Sequence, residues 1–255
     1  MSNYETPAPL SSVTRAIQIV EHFSEHGELG VTELANALDL HKSTAHAYLQ
    51  TLEQNGYLIN TDGRYRLSLE FMRIAGVARN DIPVYREGRS EVRRLANEIG
   101  ELVNIGVEEQ GFIYVISMAE GEQAVHDGAP EGKRAYMHCT AMGKIMLAYL
   151  SEPEVRNILS KLGMPEMTEY TITDPDEFIQ VLSTVREQGY AIDAEENNIG
   201  IRCIAAPITD GDHQALGAIS VTGPAERMKR ADRQQEIIEK VTSVANVIEV
   251  RLEYP

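Results

Sequence analysis

At 255 residues, with 43% hydrophobic content, the chain has enough apolar material for packed cores in one large or two smaller domains, which excludes disorder as the default. No window approaches the roughly 18 consecutive apolar residues of a membrane-spanning helix, and the opening MSNYETPAPLSSV offers neither the basic nor the apolar stretch of a secretion signal, so a cytoplasmic protein is expected. The formal net charge is -16, and arginine outnumbers lysine 17 to 6, a lysine-poor acidic balance that suits solubility in concentrated salt and points to a halophilic source.

Apolar residues at Val13, Ala16, Ile17, Val20 and Phe23 follow a helical period, with Ser11 or Ser12 as the expected N-cap. After the Gly27–Gly30 turn, VTELANALDL predicts a short second helix capped by Thr32, with Leu34, Ala35 and Leu38 as its apolar face. A turn at Asp39 and Leu40 leads into a third helix whose Ala45, Leu49 and Leu52 face inward. His41, Lys42, Ser43, Thr44, His46, Ala47 and Gln50 are left on or near its outer face, the arrangement of a helix-turn-helix. GYLIN and RYRLS are then strand-like runs joined through TDG, whose Asp-Gly pair favours a tight hairpin turn. In this wing Arg64 and Arg66 alternate with Tyr65 and Leu67, so one face packs on the helices while both arginines are expected to reach phosphate or a minor groove. Acidity is no obstacle locally: residues 41–66 carry Lys42, Arg64 and Arg66 against Glu53 and Asp62, and contact is made by the surface that meets the phosphates.

Three segments, SSVTRAIQIVEHF, VTELANALDLHKSTAHAYLQTLEQNGYL and YRLSLEFMRIAG, resemble the N-terminal domain of the IclR family of transcriptional regulators in order and spacing. The resemblance implies a winged helix-turn-helix over residues 1–67, a linker helix over 68–82 with Phe71, Ile74, Ala75 and Ala78 as its apolar stripe, and a ligand-sensing domain over 83–255. Ala47 departs from the pattern, since family members commonly carry a basic residue directly after the recognition-helix histidine. The expected DNA contacts are therefore Lys42, Ser43, Thr44, His46, Gln50, Arg64 and Arg66, without a base-reading scheme carried over from relatives.

From Pro83 onward helices and strands alternate. REGRSEVRRLANEIG predicts a helix, LVNIGVEE and FIYVISMA an antiparallel hairpin, and QAV a short strand ahead of a loop holding Gly128, Pro130 and Gly132. Helical runs follow at AMGKIMLAYL, 152–162 and 174–188; YAID, IRCIAAPIT and ALGAISVTG read as strands, and RADRQQEIIEKVTSVANVIEVRLE as a long amphipathic helix. The fold class is α+β, with mainly antiparallel strands partly covered by helices. YMHCTAMGKIMLAYL and NIGIRCIAAPITDGDHQALGAISVTGP again resemble the IclR family, which implies a GAF-like effector domain with a pocket for small organic, sugar or aromatic acids.

Independently of the resemblance, Thr140, Ala141 and Met142 stand at the start of a predicted helix, where free N–H groups favour an anion. Asp193, Cys203, Ser220 and Thr222 lie on strands that can converge there, Ser220 and Thr222 sharing one face. With Ile201, the resemblance implies that these residues line the effector pocket; packing roles are the alternative for Cys203, Ser220 and Thr222, and a strand-end cap for Asp193. An enzyme is not expected, because the chain has no Gly-x-Ser-x-Gly elbow, P-loop or HExxH. Cys139 and Cys203 read as free buried thiols rather than a disulfide. No cofactor or metal is expected beyond the effector, although His126, His138, Cys139 and Cys203 form a weaker candidate ligand set. The expected partners are double-stranded operator DNA, a small-molecule effector, and further copies of the chain in a homodimer or homotetramer, with residues 10–27 and the linker helix as dimer contacts. The alternative is a ligand-sensing module that acts on a protein partner through its winged helix.

Overall fold

The computed structural model describes residues 10–125 and 131–254. The chain divides into two compact units, one ending at Ala78 and the other beginning at Arg79. That division falls inside the stretch 68–82 expected as a linker.

The first unit opens with α1 (Ser11–His26), β1 (Leu29–Gly30), α2 (Val31–Ala37) and α3 (Lys42–Gln54). Both expected serine and threonine caps are displaced. Helix α1 begins at Ser11 with Leu10 as its N-cap and no side-chain cap, because helical geometry already includes both serines. Helix α2 begins one residue before Thr32, and the Glu33 carboxylate accepts a bond from the Gly30 N–H at 2.7 Å in place of a threonine cap. The inward faces read from periodicity close a core of Ile19, Phe23, Leu34, Ala35, Ala45, Leu49, Leu58 and Tyr65. The wing is β2 (Leu58–Thr61) and β3 (Arg64–Leu67), with β1 as an unanticipated third antiparallel strand on β3. Asp62 and Gly63 at its tip take φ of 52° and 84°, the left-handed conformations an Asp-Gly hairpin turn requires. Helix α4 (Glu70–Asn80) follows; it buries no residue, and Phe71 rests its ring 5.4 Å from that of Tyr57.

The second unit is a six-stranded antiparallel sheet between helical layers. Its strands are β4 (Leu102–Glu109), β5 (Phe112–Glu120), β6 (Arg134–Tyr136), β7 (Ala191–Ala194), β8 (Ile201–Thr209) and β9 (Ala215–Pro224), in the order β6-β5-β4-β9-β8-β7. The stretch expected as the QAV strand is a turn instead, because the Gln123 N–H bonds to the Gly100 carbonyl and that of Ala124 to Gly121. The strand on the other edge of β5 from β4 is β6, which begins eleven residues after Gln123.

Alternation along each strand separates two cores. Val103 and Ile105, Ile204 and Ile208, and Ile219 and Val221 face α5 (Pro83–Ile99) and α10 (Ala231–Glu253), with the short α9 (Ala225–Met228) at the edge. Ala205 and Ala218 face α6 (Ala141–Leu147), α7 (Glu152–Leu162) and α8 (Pro175–Gln188). All seven residues of α6 are buried, Lys144 included. Gly143 is what lets α6 approach so closely: a Cβ there would stand 2.2–2.6 Å from three backbone atoms of Met137.

Candidate functional sites

In the first unit, α3 buries Ala45 and Leu49 and leaves Lys42, Ser43, His46 and Gln50 exposed together on its outer face, with Thr44 exposed on the side that lines a groove beside α1. No acidic residue occurs between His41 and Leu52, so that face is locally cationic. Arg66 is exposed, bonded only to the Leu67 carbonyl at 3.3 Å. Arg64 is placed otherwise than expected. Its guanidinium donates to Glu28 Oε1 at 2.9 Å, to the Glu28 carbonyl at 2.7 Å and to Glu33 Oε2 at 3.2 Å, so it fastens the wing to the start of α2 instead of standing free for phosphate. With the Gly30 bond, the Arg64 charge holds the Glu33 carboxyl below its ordinary range. Beside α3, an apolar groove of about 820 Å³ runs along α1, lined by Val13, Ala16, Ile17 and Val20, Ala47 and Tyr48, and Tyr57 and Phe71.

In the second unit, the sheet face opposite Ile219 and Val221 carries the polar residues. Register sets Asp193, Cys203 and Thr222 side by side across β7, β8 and β9, with Asn104 on β4 opposite Ser220. The Thr222 hydroxyl lies 3.2 Å from Cys203 Sγ, and Asn104 Nδ2 lies 3.5 Å from Thr222 Oγ1. These five, with Thr140, Ala141, Met142, Asn197 and Lys133, line one cavity of about 60 Å³ whose apolar wall is Ile113, Val115 and Ala135. Of the eight residues expected there, seven converge. Ile201 does not: it shares the face of Cys203 but stands at the end of β8, opposite Pro224, beyond the cavity. Thr140 spends its hydroxyl on the helix cap, accepting from the Gly143 N–H at 3.2 Å and donating to the Tyr136 carbonyl at 3.1 Å.

Behind the cavity lies a charged cluster that local pattern did not reveal. Lys144, 3% exposed, pairs with Glu196 Oε1, while Glu196 Oε2 is buried without a partner. Asp193 Oδ1 accepts the Glu196 N–H at 2.8 Å and that of Asn197 at 3.4 Å. Two carboxylates thus share one buried cation. Burial, opposed by Lys144 and reinforced by Glu196, pushes the Asp193 carboxyl up to about 7. Burial likewise raises the Cys139 thiol to about 12, which makes it an unreactive packing group and bears out its reading as a buried free cysteine. His138 donates from Nε2 to the Pro165 carbonyl at 3.1 Å, and burial lowers its basicity. The only signals in sequence were the Gly-Lys pair at 143–144 and the acidic turn at 195–196; nothing local joins them. His138, Cys139 and Cys203 do not assemble into a three-ligand metal group among the described residues, and His126 lies outside them.

The domain described as the IclR helix-turn-helix matches residues 12–60, and that described as "Bacterial transcriptional regulator IclR C-terminal" matches residues 78–250. The chain is 36% identical over 257 residues to the "Probable HTH-type transcriptional regulator ArcR" of Halobacterium salinarum, covering 99% of this chain and 97% of that one. It is 30% identical to the regulator KdgR of Escherichia coli, over 97% and 95% of the two chains. Among solved structures, the Thermotoga maritima IclR superposes with a TM-score of 0.81 at 25% identity, covering 95% of this chain and 99% of that one. An IclR homologue from Microbacterium hydrocarbonoxydans, complexed with 4-hydroxybenzoate, shares the fold with a TM-score of 0.83 at 22% identity, over 96% and 100% of the chains. With a winged helix that exposes one cationic recognition face, an antiparallel effector domain, and both family models matched in order along one chain, this protein belongs to the IclR family of DNA-binding transcriptional regulators.

Proposed function

We propose that the protein binds a two-fold or near two-fold operator as a homodimer, with Lys42, Ser43, Thr44, His46 and Gln50 of α3 in the major groove and Arg66 of the wing on the backbone. The observation that carries this reading is the segregation on α3, where every expected contact residue is exposed and the intervening Ala45 and Leu49 are buried. A single module covers too little DNA for useful specificity, and paired half-sites require paired domains. The apolar groove along α1, with Val13 and Ile17 each 54% exposed, supports α1 and the linker at 68–82 as the dimer contacts, and the domains at 83–255 pair further in a tetramer. Lysine scarcity, the charge of -16 and a Halobacterium relative support a cytoplasmic, salt-adapted regulator.

The effector is a small organic, sugar or aromatic acid held by Asp193, Cys203, Ser220 and Thr222, with Asn104 and Asn197 beside them and the Ala141 and Met142 backbone at the helix start; no other cofactor enters the reading. At about 60 Å³ the cavity is far below the ~300 Å³ or more of a ligand site, so occupation requires the unit to populate a more open arrangement. That requirement is the source of the signal: a ligand that binds only the open arrangement shifts the population toward it, and α4, continuous from one unit to the other, carries the change. Fluorescence anisotropy with duplexes from the DNA flanking the gene, in molar KCl with a panel of such acids, tests the whole. Saturable, sequence-specific binding altered by one compound supports the reading; a folded dimer that binds no duplex specifically overturns it in favour of a protein partner.

A further inference from the structure

Helix α1 ends in His22-Phe23-Ser24-Glu25-His26, of which the core uses only Phe23. The two imidazoles stand one turn apart on the surface, their ring centroids 4.1 Å from each other. Each can offer a ring nitrogen and Glu25 a carboxylate oxygen, all within 4.8 Å of one another. A second feature orients the site. His26 Nδ1 lies 3.0 Å from the His22 carbonyl, and since a carbonyl only accepts, Nδ1 carries the proton and Nε2 keeps its lone pair. An imidazole that donates one N–H to a backbone carbonyl keeps its other nitrogen available to a metal, as metal-bound histidines do; Nδ1 itself stands 4.0 Å from Glu25 Oε2.

We propose that His22, Glu25 and His26 form a surface site for a late first-row divalent metal, with Zn²⁺ as the reference ion. Two imidazoles and a carboxylate favour Zn²⁺, Ni²⁺ or Cu²⁺ over Mg²⁺ and Ca²⁺, which prefer all-oxygen ligation. Two histidines four residues apart on one helix are the pair by which some metallopeptidases hold zinc, where the motif's glutamate acts as base; here Glu25 is the third ligand because its carboxylate oxygen lies within 4.8 Å of both imidazoles. No cleft surrounds it here: His26 and Glu25 side chains are 51% and 71% exposed, so water completes the coordination and the role is structural. A metal would clamp the last turn of α1, immediately before the chain turns at Gly27 to Glu28, the residue that holds Arg64 of the wing. This site lies outside the metal expectation drawn from the sequence, which considered His126, His138, Cys139 and Cys203.

The test is Zn²⁺ titration of the full-length, tag-free protein against a chromophoric chelator, with Mg²⁺ as control. One Zn²⁺ per protomer is expected. His22→Ala and His26→Ala should each weaken binding by at least ~10-fold, since loss of an outer-shell partner alone costs ~10–100-fold. His213→Asn, at an exposed position of the second unit, should leave it unchanged, and the ring protons of His22 and His26 should shift on binding. All three variants alter side chains outside the cores, and circular dichroism confirms their folding. Binding that survives in the His22→Ala/His26→Ala double variant, or no Zn²⁺ binding by the wild-type chain, overturns the proposal.

Discussion

Lys144→Met is the substitution whose consequence the structure fixes most closely. The ammonium is 3% exposed and its carboxylate partner Glu196 8% exposed, with Asp193 adjoining and Glu196 Oε2 already unpartnered. Methionine fills the volume but leaves two carboxyl groups without a cation between the sheet and α6. Breaking a buried pair from one side costs ~3–5 kcal/mol, about a fifth or more of a typical domain's stability. Lys144→Met/Glu196→Gln removes the stranded charge too, and the glutamine carbonyl can still accept the Ala194 N–H that Glu196 Oε1 accepts at 3.2 Å. The double variant should therefore return to within ~2 kcal/mol of wild type. The assay is urea unfolding by far-UV circular dichroism at fixed KCl, compared at unchanged m. The single variant's deficit should also be smaller at pH 5 than at pH 8, because the Asp193 carboxyl, already raised by burial, escapes its stranded charge by holding its proton. A loss under ~1 kcal/mol for Lys144→Met, or a double variant no better than the single one, would refute the account of two acids sharing one cation.

Asp193 gives a pH signature of its own. The folded chain keeps its proton up to about pH 7 while the unfolded chain releases it near the ordinary 3.8, so ν of the folded state exceeds that of the unfolded state in that window. Stability falls as pH rises through the window and levels above it, by on the order of 4 kcal/mol for a difference of about three pH units. Asp193→Asn, which keeps an acceptor for the Glu196 N–H, should abolish that decline; an unchanged difference in urea midpoint between pH 5 and pH 8 would contradict it. Gly143→Ala places a Cβ 2.2–2.6 Å from the Met137 backbone, and with no flexible side chain to yield it should cost ~3 kcal/mol in the same urea assay. Arg66→Ala should lower operator affinity and reduce the slope of log K against log salt by about 1 without moving the melting temperature. Arg64→Ala should instead lower the melting temperature of the DNA-binding unit, because its donors are spent on Glu28 and Glu33; equal salt slopes for the two variants would show that Arg64 reaches DNA after all.

What could be read from the sequence was whatever is decided within a few residues. Helical spacing placed Ala45 and Leu49 inside α3 and the polar residues outside, the Asp62-Gly63 pair marked the hairpin, and strict alternation along β9 sent Ser220 and Thr222 to one face and Ile219 and Val221 to the other. What the sequence did not reveal is decided at a distance. Alternation puts Arg64 and Arg66 on the same face of β3, and only Glu28 and Glu33, more than 30 residues earlier, make one of them an anchor and leave the other free. Alternation also makes Ile201 equivalent to Cys203, yet the cavity ends before Ile201 because the sheet does, at Pro224. Lys144 meets Glu196 across 52 residues. The acidity of the whole chain misleads for the same reason. A net charge of -16 sums over residues the fold later pairs, buries or turns away, whereas residues 41–66 carry Lys42, Arg64 and Arg66 against Glu53 and Asp62, and it is a local surface, not the whole-chain sum, that a phosphate would meet.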